Sequence, residues 1–165
     1  MLPRLLPLLC LLFLSQITST QESGTAKPAR VPEACPVTKP SDQPFLPPYP
    51  YPAEPRLGGY WFGSDGLWII PPANGEWRGL RQKMGWWRQG YDWRTEPRLK
   101  ITGRRLDSQA PPLDVDGPSG IGGGGPPRSY MMVGLTFPTP GCWEITGHDE
   151  NDELTFVVWV ANGVR

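Results

Sequence analysis

The chain of 165 residues has one histidine, three cysteines and no apolar run longer than the ten residues Leu5–Leu14. Each shortage removes a class of function. A single histidine, His148, with so few cysteines leaves a tetrahedral zinc site short of ligands. No G-x-S-x-G elbow, no phosphate-loop lysine behind the glycines and no H-E-x-x-H occurs. Charge of one sign is missing too: 16 basic residues face 16 acidic ones, so nothing draws the chain as a whole to nucleic acid or an anionic membrane. Sustained helical periodicity is absent as well. The expectation is a non-enzyme without metal or cofactor. Carboxylates are plentiful, but a sequence cannot place two of them at glycosidase separation.

The beginning of the chain carries a signal. Arg4 precedes the apolar stretch, and small and polar residues, Ser15 to Thr20, follow it. Ten residues span only ~15 Å as a helix, about half a bilayer core. The pattern predicts a secretory signal peptide over residues 1–20 rather than a membrane span, cut near Ser19 or Thr20, with Ala26 as the fallback. Neither Cys10 nor Cys35 stands where a lipobox would put it. A secreted, periplasmic or cell-envelope location is therefore expected. Cleavage would remove Arg4, leaving 15 basic against 16 acidic residues, or −1.

Residues 21–57 hold ten prolines in 37 positions, including "QPFLPPYPYPAEP" (Gln43–Pro55). Proline fixes φ and lacks an amide donor, so the segment predicts an extended arm, either docked through Phe45, Tyr49 and Tyr51 or serving as a disordered spacer. Residues 58–165 read as β structure. Gly58–Pro72 has two β-rich runs around Ser64-Asp65-Gly66, a hairpin signal, and "PANGEW" (Pro72–Trp77) offers an Asn-Gly turn. "RLKITG" (Arg98–Gly103), "SYMMVGLTF" (Ser129–Phe137), "CWEITG" (Cys142–Gly147) and "ELTFVVWVA" (Glu153–Ala161) read as strands. The last is apolar on both faces and so is expected to be central. The fold class predicted is all-β: a single antiparallel β-sandwich, immunoglobulin-like, with a proline-rich N-terminal arm; a small β-barrel is the alternative. Pro111–Pro127, with "GPSGIGGGGPP", reads as a long mobile loop at 111–127.

After export only Cys35 and Cys142 remain, and two cysteines in an oxidising compartment pair, which would fasten the arm to a strand. A Cys142 nucleophile would need His148 as base, six residues along one strand and roughly 20 Å away. The turn "HDENDE" (His148–Glu153) has four carboxylates but lacks the glycine and ligand periodicity of a calcium loop, and reads as a solvated hairpin tip.

Eight tryptophans are present. Trp68, Trp143 and Trp159 lie in apolar strands and are expected in the core. Trp86, Trp87 and Trp93 fall in "MGWWRQGYDWR" (Met84–Arg94), within the segment Arg78–Arg105, where nine basic residues face Asp92 and Glu96 for a local +7. Aromatic faces among guanidinium groups can stack on sugars or peptides and hold carboxylates or phosphates. Trp86, Trp87, Arg88, Trp93 and Arg94 are the candidate binding residues, for an envelope glycan, a polyanion or a protein. The competing reading has the aromatics covering a sandwich edge while the arginines pair with acidic loops. A hydrolase using Glu144 or Asp149 is a third possibility.

"GLTFPTPGCWEITG…LTFVVWV", with "ITGRRLD..APPL" and "GWWR", resembles a group of exported bacterial proteins that have an early "CPVT"-type cysteine and an "FPTPGCWEVTG"-type ending and for which no activity is established. The resemblance runs from about Cys35 to Val160. It implies secretion, a β-rich domain and the same cysteine pairing, and it supplies no catalytic residue. The function expected is a non-catalytic binding or accessory module, or else a purely structural envelope component.

Overall fold

A computed structural model describes residues 30–55, 59–122 and 129–163. The expected signal peptide and the centre of the glycine run lie outside the described residues. Among those residues there is no helix, so none is long and apolar enough to cross a membrane. The described residues form nine strands in two packed sheets, a β-sandwich. They are β1 (Phe62–Gly63), β2 (Trp68–Ile69), β3 (Glu76–Arg78), β4 (Arg81–Trp87), β5 (Lys100–Arg105), β6 (Asp114–Ile121), β7 (Tyr130–Thr136), β8 (Gly141–Asp149) and β9 (Asp152–Ala161).

The five-stranded sheet runs β1-β2-β4-β7-β6 and is antiparallel throughout. The four-stranded sheet runs β3-β9-β8-β5. Its β3–β9 pair is parallel, so this sheet is mixed rather than purely antiparallel. β9, the strand apolar on both faces, has β8 on one side and β3 on the other, as its composition implies.

Alternation sorts the side chains. On β4, Met84 and Trp86 point into the sandwich, beside Met131, Val133 and Leu135 of β7 and Ile145, Phe156 and Val158 of the other sheet. Trp87 points the opposite way. That outer face is not left to water. Trp61, Trp68, Trp87 and Tyr51 form a second buried cluster, with Phe45, Ile70 and Tyr130 against it. Phe45 and Tyr51 belong to the proline-rich arm, and their rings sit 5.9 and 5.0 Å from that of Trp68. The Trp61 indole donates to the Pro52 carbonyl at 2.9 Å.

The other limb of the arm covers the opposite sheet. Cys35 and Val37 are buried with Cys142, flanked by Val157 and Trp159. Cys35 and Cys142 are disulfide-bonded, with Cα atoms 5.6 Å apart. The Thr38 amide donates to the Val157 carbonyl and the Val157 amide donates to Thr38 Oγ1, each at 2.9 Å. β3 pairs with β9 only from Trp159 to Ala161, so Thr38 covers a stretch of β9 that β3 does not reach and that would otherwise stay open to association. The arm is thus a strap lying on both outer faces. The inter-sheet disulfide typical of antibody domains is not what these cysteines make.

Two stretches differ from the sequence reading. Residues 111–127, expected as a loop, contain β6. Pro118 and two glycines disguise it, but β6 is an edge strand with a register shift between Asp116 and Ser119, where a proline without an amide hydrogen is tolerated. The segment around Trp86, not among the strands read from the sequence, contains β4, a central strand.

Candidate functional site

The candidate residues Trp86, Trp87, Arg88, Trp93 and Arg94 do not form one surface. Trp86 is fully buried and packs on Phe156 at 6.0 Å. A Cβ at Gly147 would strike its ring, so that glycine makes room for the indole. Trp87 is 8% exposed, edge-on to Trp61 at 5.3 Å and tilted against Tyr130 at 5.1 Å. Neither ring offers a face to a ligand. The reason is the β4 period: adjacent residues take opposite faces, and both faces are covered. Trp93 is half-buried, lying over Gly120 and Gly122, where any side chain would collide with it. Arg94 stacks on Trp93 at 4.9 Å from the ring centroid and pairs with Asp92 at 3.5 Å. Arg88, just past the end of β4, lines a cleft that the other four residues do not reach.

That cleft has a volume of about 1240 Å³. It is built from the end of β4, the β4–β5 connection, the start of β5, β7 and the β8–β9 turn. Leu99 and Met131, both buried, are its apolar lining. Its polar groups come in both signs. Arg88 Nη1 reaches Asp149 Oδ2 at 3.2 Å and Glu150 Oε1 at 3.0 Å, and Arg98 Nη1 reaches the same Glu150 oxygen at 3.3 Å. Lys100 stands directly across the ladder from His148, whose Nδ1 lies 3.2 Å from Glu153. The acidic hairpin tip and part of the basic segment therefore neutralise each other, as the competing reading of the arginines had it.

Asp149 is 2% exposed. A carboxylate there requires its guanidinium partner, because an unpaired buried charge is costly. Burial alone would loosen the proton on Arg88. The hydrogen bonds to Glu150 and Asp149, and their charges, outweigh it and raise its pKa above the ordinary value. Burial also raises the pKa of the Tyr91 phenol, with Asp149 and Asp92 adding to it. Arg88 is thus held as a fixed cation with a defined direction.

Cys35 and Cys142 are bonded to each other, so neither of these described cysteines is a free nucleophile. Glu144 and Asp149 are five residues apart on β8, hence on opposite faces and ~17 Å apart along the strand, well outside glycosidase spacing of ~5–9.5 Å. Glu144 is tied to Arg104 at 2.6 Å. Among the described residues no group of three or more His, Cys, Asp or Glu side chains is placed to hold a metal ion. A smaller groove of about 380 Å³ lies beside Trp77, Pro71, Pro72 and Trp87.

The sequence singled out Arg88 for its neighbours and missed Arg98, Lys100 and Glu150 as one site. No local signal joins them, because Arg88 and Asp149 are 61 residues apart. No protein-family model, curated protein or solved structure matches the chain.

Proposed function

We propose that the protein is an exported, non-catalytic binding or accessory module of the bacterial envelope or its surroundings, and that its contact site is the cleft between the β4–β5 connection and the β8–β9 turn. Export is inferred from the N-terminal pattern and from the disulfide, a bond that persists in oxidising compartments. The observation that carries the choice of site is the cleft itself, about 1240 Å³ and lined by donors and acceptors from five parts of the fold. Large clefts with convergent polar groups on a rigid scaffold are the usual places for ligands. The aromatic belt is occupied by the strap and offers no comparable surface. Positive and negative groups balance in the cleft, so a ligand with both donors and acceptors fits better than a polyanion.

The second reading, a structural envelope component, draws support from the same balance, because the cleft arginines already have carboxylate partners. Arrays of peptides and of neutral and acidic oligosaccharides separate the two. Arg98 and Lys100 are exposed, so R98E and K100E should leave the thermal midpoint unchanged and weaken array binding at least tenfold. Binding that ignores both substitutions would remove the cleft from the account. No binding across the arrays would favour the structural role.

A further inference from the structure

We infer that Glu150 is a built-in occupant of a carboxylate site, and that the cleft takes a peptide carboxylate in its place. This rests on the cleft being the binding site. Three observations converge.

First, Glu150 is the one non-glycine residue among the described residues with a positive φ, 57°. Glutamate is a poor choice there; glycine, asparagine or aspartate suits a left-handed position better. The backbone requirement of the turn therefore does not explain its identity.

Second, its carboxylate oxygen sits between two guanidinium groups, at 3.0 Å from Arg88 and 3.3 Å from Arg98. Paired guanidinium groups are a carboxylate-recognition arrangement.

Third, Arg88 does not need Glu150. The buried Asp149 already balances it at 3.2 Å and fixes its direction. With Glu150 turned outward, Arg98 loses its carboxylate partner and joins Lys100, which has no ion-pair partner among the described residues, beside an Arg88 already in position. Glu150 is 40% exposed at its side chain and Arg98 77%, so the exchange disturbs no core group.

Peptide is favoured over acidic sugar by the lining. Of its rings, the Tyr91 phenol is 7% exposed and presents no stacking face to a sugar, and the His148 imidazole is turned to Glu153. Lys100 also opens β5, the edge strand of its sheet, so a peptide main chain arriving at the cleft has an unpaired ladder to run along.

The test is calorimetric titration of the full chain with three probes: acetyl-trialanine as the free acid, the same peptide as its amide, and trigalacturonate. The proteins are wild type, Glu150→Gln, Glu150→Gly and Glu150→Gln with Arg98→Ala. Removing the internal competitor should tighten binding of the peptide acid about tenfold in both single variants, in keeping with one charge-assisted pair. The amide should bind no variant, and Arg98→Ala should abolish the gain. Equal affinity of wild type and both Glu150 variants for the acid, or no binding to any of them, would overturn the inference, as would tighter binding of trigalacturonate. A neutral array ligand whose affinity depends on Arg98 but not on Glu150 would sink this inference and leave the cleft as the binding site.

Discussion

Buried polar atoms show best how single residues are used. Tyr60 has a buried hydroxyl without a hydrogen-bond partner among the described residues, and burial pushes its pKa up to about 12 from 10.0. The neutral phenol is the form the fold tolerates. Below pH 10 both states keep the proton and the full stability is present. Between about pH 10 and 12 the unfolded chain ionises first, so stability falls as pH rises through that window. Tyr60→Phe should cost little at pH 8 and lose less stability than wild type from pH 9 to 11.5, read as denaturant midpoints. Tyr51 and Tyr91, also raised by burial, keep part of the alkaline loss in the variant. Equal losses in the two proteins would show that the Tyr60 hydroxyl is solvated. The indole nitrogens of Trp68, Trp86 and Trp159 are buried and unpartnered as well, which marks these rings as packing elements rather than ligand donors.

Elements differ in how openly the chain announces them. β7, β8 and β9 were legible because apolar and polar residues alternate and polar turns bound them. The β1–β2 hairpin was legible from Ser64-Asp65-Gly66, and its turn forms with Ser64 donating to Leu67. β4 also alternates, with Gln82, Met84 and Trp86 on one face, yet Lys83 and Gly85 between them imitate a loop. β6 was hidden by Pro118 and its glycines. Those glycines have a packing reason: Gly120 and Gly122 leave the space that Trp93 and Tyr91 occupy. Gly120→Val should therefore destabilise the protein by about 1–3 kcal/mol, the usual range for overpacking, measured by chemical denaturation. A neutral effect would mean that β6 and the Trp93 loop are not held together. The cleft was illegible for a different reason. It joins residues from distant strands, and only the pairing of β5 with β8 and the turn of β8 into β9 bring Lys100, His148 and Glu150 to the same end.

On the scale of the whole molecule, the proline-rich arm changes what the sandwich is. A two-layer fold of this size would expose Trp68, Trp87 and Tyr130 on one side and Trp159 and Val157 on the other. The strap covers both sets, anchored by aromatic contacts on one face and by the disulfide on the other. The bond closes a separation of 107 residues, for which chain-entropy arguments give roughly 4–5 kcal/mol. With these aromatics covered, the charged cleft rather than the indole rings is open to a ligand, so the functional reading depends on the strap being part of the fold. Amide hydrogen exchange tests this directly. In the oxidised protein the Thr38 amide, which donates to Val157, should exchange as slowly as neighbouring β9 amides, and reduction of the disulfide should release it while β8 and β9 stay protected. Exchange of Thr38 at the rate of a free peptide in the oxidised protein, with β8 and β9 still protected, would contradict the account.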